Sequence, residues 1–354
     1  MFIKLLFCVC MMTVRLLSVI DYSVPHIEGK SNIVPAAVIG SGPAGLAAAL
    51  YIARGGFTPT VFAGPKPGGQ LMGSSLVENI PGFEKLPGKE IMERKLQHVM
   101  DFGVHYIPET VMAVDFTAWP FTLTLSNHDI VHALTVIIAT GASPRMLQVP
   151  GEADLLGHGV STCAVCDAPL FDEEDVIIVG GGDSAVNAAL LLKPYAKSIT
   201  LLNRSGLLRA SQRMQQHLAH EKITVHYNKK VHEIHGEDEI SHITIEDMVT
   251  GEKSCLESTG LFLAIGHTPN TQLFQEQLAL TGTGHIQVMG KSQETSVRGV
   301  FAAGEVVDDV YRQAIVAEGE GARAGLDAIG FLHAVGVTED VLNRVSVYQY
   351  SEVD

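Results

Sequence analysis

Basic residues are scarce in this chain, and their scarcity limits what it can bind. Of its 354 residues, 24 are Lys or Arg and 39 are Asp or Glu, which leaves a formal charge of −15. No long basic run breaks this acidic balance. Non-specific binding to nucleic acid or to an anionic membrane is therefore disfavoured, because both depend on clustered positive charge.

Cysteine is also sparse. Five cysteines in a chain of this length do not build a disulfide scaffold. In a reducing compartment, a Cys-x-x-Cys pair is more often catalytic or metal-binding than structural. Cys8 and Cys10 lie in the first apolar segment and Cys255 stands alone, so Cys163 and Cys166 form the one such pair.

Ligand pairs for a structural zinc ion are missing as well. Such a site normally needs a second pair beside a Cys-x-x-Cys. His217 with His220, and His232 with His235, have a spacing that a metal could use, but no clear partner pair accompanies them. We interpret them as a solvated face of a histidine-rich protein, and the sequence predicts no metal.

A long apolar run is absent too. Residues 1–20 are mostly apolar, but Arg15 interrupts them, and a membrane span needs about 20 apolar residues. No convincing small-x-small cleavage site follows, so we expect a cytoplasmic protein with a dispensable extension over residues 1–35. The alternatives are an organelle-targeting leader and a true start at Met11 or Met12.

Apolar residues and glycine are what the chain has in quantity. Hydrophobic residues make up 46% and charged residues 18%, with 35 glycines, which is typical of a packed globular protein with many tight turns. The length allows two compact domains. Pro, Gly, Ser and Asn punctuate residues 21–35 like a flexible lead-in, so order is expected to begin at Ala36.

A glycine turn opens the ordered part. Ala36–Gly40 predicts a buried strand, Gly40–Gly45 has the pattern Gly-x-Gly-x-x-Gly, and small residues over Leu46–Ala53 predict a helix. In such a Rossmann unit the first glycine permits a tight turn, and the second lets backbone N–H groups approach a pyrophosphate. The third allows the helix to pack closely on the strand. The next strand, Thr60–Ala63, lacks the acidic residue that would hold an adenosine ribose, which weakens a simple NAD assignment.

Later segments continue this first unit. Gly-rich loops at 68–71 and 78–83 are suited to lie along an extended cofactor, and Val136–Ala142 predicts another buried strand that ends in a turn. Glu305 follows an Ala-Ala-Gly turn, where its carboxylate can take a polyol hydroxyl. A small-residue helix begins near Arg312–Ala314, and its start can face an anionic or polarised group.

The dithiol lies in a second unit. Cys163 and Cys166 can close a disulfide with little rearrangement, and Asp167 beside them can pass protons as that bond opens and closes. Residues 175–185 then form a buried-strand pattern that runs into Gly-x-Gly-x-x-Ala, a second dinucleotide turn. A redox pair beside such a site predicts electron transfer.

The strand after the second glycine turn ends without an acid. Ser198–Leu202 is followed by Asn203 and Arg204, and Arg209 comes shortly after. A guanidinium here suits the 2′-phosphate of NADP, which a carboxylate would repel. The sequence therefore favours NADPH over NADH.

Because the two glycine turns begin as far apart as Gly40 and Gly180, we predict one nucleotide domain inserted into another. The predicted fold class is α/β, with two Rossmann-like nucleotide-binding domains of the three-layer ββα type. The predicted parts are an extension over 1–35, a discontinuous first domain over 36–144 and 265–335, an inserted domain over 145–264 and a tail over 336–354.

The chain resembles the low-molecular-weight thioredoxin reductases over about residues 36–333, through segments that occur in the same order. These segments are Gly40–Gly45, Gly68–Leu71, Ala139–Ala142, Cys163–Asp167, Gly180–Ala185 and Gly299–Ala314. A Cys-x-x-Cys-Asp inside the second domain is specific to that family and its near relatives. In lipoamide and glutathione reductases the dithiol follows the first glycine turn, where the helix of this chain has no cysteine.

The resemblance implies that the discontinuous domain binds FAD and the inserted domain binds NADPH. Electrons would pass from NADPH through the flavin to the Cys163–Cys166 disulfide and then to a thioredoxin. Cys166 would lie nearer the flavin, Cys163 would attack the partner's disulfide, and Asp167 would be the acid–base. The resemblance also implies a homodimer, and two orientations of the NADPH domain about hinges near 143–150 and 264–270.

The cofactor-binding residues that the resemblance implies belong to the same motifs. For FAD they are Gly40, Ser41, Gly42, Pro43, Ala44, Gly45, Gly69, Gln70, Leu71, Asn79, Thr140, Gly141, Ala142, Gly304, Glu305, Arg312, Gln313 and Ala314. For NADPH they are Gly180, Gly182, Asp183, Ser184, Ala185, Arg204 and Arg209.

Four positions depart from the family pattern. Asn187-Ala188 stands where members usually carry paired acids, and Asn203-Arg204-Ser205 stands where His-Arg-Arg is common. Glu305 replaces the usual Asp, and Ala168 replaces the Gly after the dithiol. One phosphate-binding arginine is therefore missing, but no reacting atom is lost.

Two other functions fit the same residues. One is a related flavoenzyme that keeps the dithiol and oxidises a small dithiol with oxygen, or reduces a peroxiredoxin. The other is a non-enzymatic nucleotide-binding redox sensor, in which the disulfide switches a conformation.

Overall fold

The computed structural model describes residues 20–350, apart from residues 28, 29, 75 and 222. Its strands, in chain order, are β1 (Ile33–Val34), β2 (Ala36–Ile39), β3 (Pro59–Phe62), β4 (His105–Ile107), β5 (Val111–Asp115), β6 (Phe121–Leu125), β7 (Ile130–Ala133), β8 (Val136–Ile138), β9 (Ala142–Pro144), β10 (Val160–Ser161), β11 (Asp175–Val179), β12 (Ser198–Asn203), β13 (Thr224–Tyr227), β14 (Lys229–Gly236), β15 (Ile240–Asp247), β16 (Lys253–Glu257), β17 (Gly260–Leu263), β18 (His267–Pro269) and β19 (Val300–Ala302). Its helices are α1 (Pro43–Arg54), α2 (Gly88–Asp101), α3 (Ala164–Asp167), α4 (Asp183–Leu192), α5 (Gln212–His220), α6 (Ala314–Ala334) and α7 (Glu339–Leu342).

The first parallel sheet has the strand order β19-β8-β2-β3-β4. All four residues of β2 are buried, as expected of a parallel strand that is covered on both faces. Helices α1 and α6 pack closely against each other, and a Cβ at Gly321 would come within 2.1 Å of the Ala44 carbonyl oxygen. Glycine is required there because the two helix backbones touch.

A four-stranded sheet in the order β1-β7-β6-β5 shares the core of this first unit. In β6, Phe121, Leu123 and Leu125 are buried while the threonines between them are half-buried. This alternation is typical of an antiparallel strand with one face toward the core. The sheet lies next to the parallel strands in a single apolar cluster that also includes residues of α1 and α6.

The inserted unit repeats the three layers. Its parallel sheet has the order β10-β17-β11-β12-β13, and β14, β15 and β16 form a separate antiparallel sheet. Along β11, Val176 and Ile178 pack with the α4 and α5 side, whereas Ile177 and Val179 pack with the antiparallel sheet. The α/β fold with two Rossmann-like units of three layers is therefore confirmed.

The two units are joined by an antiparallel ribbon. Strand β9 leads into the inserted unit and β18 leads out of it, and Ser143 pairs with Thr268. The predicted domain boundaries near residues 144 and 264 stay a prediction, which the position of this ribbon supports.

The predicted flexible lead-in before Ala36 is wrong for the part of it that the structure describes. Ile27, Ile33 and Val34 are fully buried, and β1 pairs in parallel with β7. The Tyr22 hydroxyl donates to the Arg298 carbonyl oxygen at 2.8 Å. Turn-forming residues suggested a loose segment, but the apolar residues scattered among them fill an edge of the core.

The described part of the tail packs on the same edge. Val347 bridges Ile33, and the Ile33 N–H donates to the Ser346 carbonyl oxygen at 2.9 Å. The Tyr348 hydroxyl donates to Asp129 at 2.8 Å. The described ends of the chain therefore meet at the β1 edge of the four-stranded sheet.

No helix in the described part of the chain is long and apolar enough to cross a membrane. The predicted leader and the alternative starts at Met11 and Met12 lie outside the described residues.

Candidate active site

The two thiols of the Cys-x-x-Cys pair form a disulfide. The bond joins Cys163 and Cys166, whose Cα atoms are 5.3 Å apart. Cys163 caps the short helix α3, and its Sγ accepts the backbone N–H of Cys166 at 3.2 Å. Cys163 therefore lies at the start of α3, with one residue between it and β10, and Cys166 lies within the helix.

Asp167 lies at the end of α3 and is held by a buried serine. The Ser161 hydroxyl donates to an Asp167 carboxylate oxygen at 2.6 Å and accepts the Cys163 N–H at 3.0 Å. Burial raises the pKa of Asp167, and the Ser161 hydrogen bond lowers it in part. Sequence reasoning missed Ser161, because a serine on a strand has no motif that marks it.

A cavity of about 760 Å³ lies between the two units and receives the disulfide. The predicted site residues that line it are Gly40, Ser41, Gly42, Pro43, Ala44, Gly69, Gln70, Leu71, Asn79, Thr140, Gly141, Ala142, Cys163, Cys166, Ser184, Gly304, Glu305, Arg312, Gln313 and Ala314. The predicted residues outside its lining are Gly45, Asp167, Gly180, Gly182, Asp183, Ala185, Arg204 and Arg209. Sequence reasoning also missed the lining residues Lys66, Thr110 and Tyr311, and it assigned His267 and Asn270 only to a hinge.

The first glycine turn leaves bare backbone at one end of this cavity. Gly40 has φ +108°, and a Cβ on it would come within 2.3 Å of the Ala139 carbonyl oxygen. Helix α1 begins directly after Gly42, which has no side chain to cap the first turn. Uncapped N–H groups at the start of a helix bind anions, so this end of the cavity fits a pyrophosphate.

Glu305 lines the cavity. Gln70 donates from its amide to the Glu305 carboxylate and to the Ala142 carbonyl oxygen. Burial raises the pKa of Glu305 to about 7, although the bond from Gln70 and the nearby charge of Arg312 oppose the shift. The carboxyl group is a hydrogen-bonding group for a ligand that displaces water here.

Arg312 reaches the cavity from the turn before α6. It donates to His267 Nδ1 at 2.9 Å and to the Asp309 carbonyl oxygen at 2.8 Å. Its Nε is buried with no hydrogen-bond partner among the described residues, so a donor is left for a bound group. Burial, followed by the charges of Arg312 and Arg145, lowers the pKa of His267 to about 4, so the imidazole stays a neutral acceptor at neutral pH.

Asn270 fixes the ribbon against the first unit. Its amide nitrogen donates to the Thr140 carbonyl oxygen at 2.8 Å, and its amide oxygen accepts from the Ser143 hydroxyl at 3.0 Å. The Thr140 hydroxyl donates to the Asn270 carbonyl oxygen at 2.8 Å. The crossing strands are therefore tied to the edge of the cavity by side chains.

The second glycine turn is built like the first. Helix α4 begins directly after Gly182, and the Asp183 carboxylate accepts the Ser211 N–H at 2.7 Å. Asn203 is buried at the end of β12, and its amide donates to the Ser205 and Leu207 carbonyl oxygens, both at 2.9 Å. These bonds set the course of the loop after β12.

The guanidinium groups of Arg204 and Arg209 lie at either end of that loop, and both side chains are exposed. Of the residues predicted for this second site, only Ser184 lines the cavity that receives the disulfide. The other residues predicted for the second site lie outside the lining of this cavity.

Among the described residues, no group of three or more His, Cys, Asp and Glu side chains is placed to hold a metal ion.

We expect Glu305→Gln to stabilise the full-length protein in the absence of cofactor at pH 8, by up to about 3 kcal/mol. The pKa of this carboxyl is raised from 4.5 to about 7, so the folded state holds a proton that the unfolded chain has already released. The resulting cost to folding grows between about pH 4.5 and 7 and is complete above pH 7. Gln carries no charge and escapes that cost.

Urea unfolding of both proteins at pH 5 and pH 8 measures this effect. Glu276→Gln, at an exposed position, is the control and should change little at either pH. An equal effect of Glu305→Gln at both pH values would contradict the assignment of a raised pKa.

Comparison with known proteins places this geometry in a family. The model of the family described as pyridine nucleotide-disulphide oxidoreductase matches residues 34–321. A thioredoxin reductase from Streptomyces clavuligerus is 44% identical over 314 residues, which is 88% of this chain and 98% of the relative.

Solved structures agree. A thioredoxin reductase from Streptococcus pyogenes has a TM-score of 0.82 at 34% identity and covers 86% of this chain and 100% of its own. A thioredoxin reductase from Lactococcus lactis in the FR conformation has 32% identity and the same coverage, but a TM-score of 0.57.

Proposed function

This chain belongs to the pyridine nucleotide-disulphide oxidoreductase family, and from that premise we propose that it is a thioredoxin reductase, which uses NADPH to reduce the disulfide of a thioredoxin. One observation carries the proposal. The Cys163–Cys166 disulfide of the inserted unit lines the same cavity as the first glycine turn, residues 40–44. A reducible disulfide beside a dinucleotide turn is arranged for electron transfer between a cofactor and the disulfide.

FAD is the cofactor that we assign to the first unit. Residues 40–45 would hold its pyrophosphate at the start of α1, Glu305 a hydroxyl of its polyol chain, and Arg312–Ala314 a polar edge of its ring. The bare turn and the Arg312 Nε without a protein partner support this fit. When bound, the flavin supplies two-electron transfer between a nicotinamide and a disulfide.

NADPH is assigned to the second glycine turn. Residues 180–185 would hold its pyrophosphate at the start of α4, and Arg204 with Arg209 would bind the 2′-phosphate. The exposure of both guanidinium groups beside a loop that Asn203 holds in place supports this assignment.

The sulfur chemistry requires two exchanges. After the internal disulfide is reduced, the Cys163 thiolate attacks one sulfur of the thioredoxin disulfide, forms a mixed disulfide and releases one thioredoxin thiolate, which takes a proton. The Cys166 thiolate then attacks Cys163 Sγ, restores the internal disulfide and releases the second thioredoxin sulfur, which is also protonated. The two electrons that NADPH supplies are then in the two thioredoxin thiols.

Two local contacts suit Cys163 and Asp167 to these roles. The Cys166 N–H that points at Cys163 Sγ favours a thiolate on Cys163. Asp167 is adjacent in sequence to Cys166, and burial raises the pKa of its carboxyl so that a larger fraction keeps a proton to donate.

The inserted unit would change its orientation during the cycle. The disulfide lines the cavity between the two units here, beside the first glycine turn, and we propose that the dithiol leaves this cavity to meet thioredoxin. We assign the hinges to residues 143–150 and 264–270, which include the β9–β18 ribbon. The lower TM-score to the Lactococcus lactis enzyme in the FR conformation, at an identity close to that of the Streptococcus pyogenes enzyme, supports more than one arrangement in this family.

The proposed partner is a thioredoxin, and the proposed assembly is a homodimer that works in the cytoplasm. A reducing compartment suits a dithiol whose function is to open and close. Sedimentation of the purified full-length protein would measure its assembly, and a monomer at micromolar concentration would contradict the homodimer.

An anaerobic titration of the purified protein with NADPH, followed by its visible spectrum, tests the proposal. We expect a yellow protein that is bleached by NADPH and that reduces a general disulfide reporter only when thioredoxin is added. Turnover with oxygen alone would instead indicate a flavin dithiol oxidase. Reduction of a peroxiredoxin without thioredoxin would indicate a peroxiredoxin-reducing flavoprotein. A colourless protein that takes up no flavin would refute the proposal.

Arg204→Ala should raise the Michaelis constant for NADPH about tenfold while that for NADH changes little, because the guanidinium reads only the 2′-phosphate. Steady-state rates with each nucleotide at saturating thioredoxin measure both constants. Arg54→Ala removes an exposed guanidinium from the other unit and should alter neither. Equal changes for NADPH and NADH would mean that Arg204 does not contact the phosphate.

A further inference from the structure

Ser161 joins the dithiol to its acid through one hydroxyl. The residue ends β10, two positions before Cys163, and is 5% exposed. Its oxygen accepts the Cys163 N–H at 3.0 Å and lies 2.6 Å from an Asp167 carboxylate oxygen. A hydroxyl has a single hydrogen, and a backbone N–H can only donate, so that hydrogen is directed at the carboxylate.

The surroundings of Asp167 leave this bond unopposed. Helix α3 packs on α4, where Asp183 is the charged residue and is already bonded to the Ser211 N–H. The following turn, Ala168–Phe171, has no charged residue. In this disulfide form no neighbouring charge among the described residues shifts the pKa of Asp167, so burial and the Ser161 hydroxyl are the two influences on its ionisation. Reduction adds the thiols of Cys163 and Cys166 as titratable neighbours.

We propose that Ser161 is a positioning residue for disulfide exchange: its hydroxyl orients the Asp167 carboxyl group beside the dithiol and stabilises the ionised form that remains after a proton has been donated. This inference rests on the proposed thioredoxin reductase function. Asp167 must give up a proton in a mostly buried place, and the loss of that proton is favoured by a donor already aimed at the oxygen. The same oxygen accepts the Cys163 N–H, so the Ser161 hydroxyl holds both the backbone of the first cysteine and the carboxyl group of the acid in position.

Ser161→Ala removes the hydroxyl and tests the proposal. We expect the thioredoxin-dependent turnover rate to fall about tenfold, as for the loss of a hydrogen bond to a charged group, while the rate at which NADPH reduces the bound flavin stays within about twofold. The removed bond stabilised the carboxylate, so its loss raises the pKa of Asp167 further. The decline in turnover at high pH, where Asp167 loses its proton, should therefore move to higher pH.

Ser258→Ala is the matched control. Ser258 is a buried serine of the same unit, 3% exposed, whose hydroxyl oxygen lies 2.8 Å from both the Asp175 and the Gly260 carbonyl oxygens, away from the dithiol. Ser258→Ala should lower the free energy of unfolding by about as much as Ser161→Ala does, but it should not shift the pH profile of turnover. Ser161→Thr keeps a hydroxyl at the same place and should restore turnover to within about threefold of the unmodified protein.

Stopped-flow rates for the two half-reactions, and steady-state turnover from pH 6 to 9, separate the outcomes. An unmodified protein that reduces flavin but not thioredoxin would refute the proposed function itself. If the unmodified protein reduces thioredoxin, a Ser161→Ala profile that is lowered without a shift, as for Ser258→Ala, would overturn the positioning role. So would full turnover in Ser161→Ala. A shift in Ser161→Ala that Ser161→Thr reverses would support it.

Discussion

Replacing Cys163 or Cys166 with serine should lower thioredoxin reduction by more than about a thousandfold, because the serine hydroxyl cannot form or break the sulfur–sulfur bond that carries the electron pair. Each cysteine has its own exchange to perform, so either single change stops the cycle. Reduction of the bound flavin by NADPH should survive in both variants, since in the proposed relay the flavin receives its electrons before the sulfurs do.

Two assays measure this prediction: turnover with thioredoxin at saturating NADPH, and anaerobic bleaching of the protein by NADPH. Cys255→Ser is the matched control, because Cys255 is an exposed free thiol on the outer strand β16 of the inserted unit. It should leave both rates unchanged. Full thioredoxin turnover in the Cys163 or the Cys166 variant would refute the dithiol relay.

Asp167→Asn should lower thioredoxin turnover about a hundredfold, which is the usual contribution of a positioned acid or base. The amide still accepts the Ser161 hydrogen bond, so the local structure is kept while the exchangeable carboxyl proton is lost. Burial raises the pKa of the carboxyl, and in the unmodified protein turnover should decline as pH rises past that pKa, because the acid form disappears.

The Asn variant should have no such decline, and comparison of the two pH profiles is the measurement. Asp172→Asn removes a nearby exposed carboxylate and serves as the control, with both rate and profile expected to stay as in the unmodified protein. A profile of Asp167→Asn that runs parallel to that of the unmodified protein would assign the titration to another group.

Much of the fold could be predicted because its signals are local. Continuous apolar runs predicted β2, β8 and β11 as buried strands, and the small residues after the first glycine turn predicted the helix that the structure has as α1. The helix expected near Arg312–Ala314 begins at Ala314 and runs to Ala334. Each of these features depends on backbone conformation and burial within a few residues of the motif.

The missed features depend on partners that are distant in the chain. The lead-in before Ala36 has the composition of a loop, and its order comes from β7, nearly a hundred residues later, and from Val347. Asn270 is recognisable as a clamp only once it lies against Thr140 and Ser143. No pattern in the sequence reports such contacts, because the folded core creates them.

The candidate site also contains residues that sequence motifs identified and residues whose role only the structure shows. The residues of the first glycine turn, the dithiol and the turn before α6 line one cavity, and their motifs could be recognised in the sequence. Asn203 could be recognised only as a departure from a family pattern, whereas in the structure its buried amide holds the loop that carries both arginines.

The paired strands β9 and β18 restrict how the two units can turn. Two separate linkers would let the inserted unit tumble through many orientations, but here both crossings are hydrogen-bonded to each other, with His267 opposite Pro144 and Pro269 opposite Ala142. In the proposed cycle, rotation would therefore twist these two strands together as one ribbon, and the dithiol would return to the same position beside the first glycine turn after each exchange with its partner.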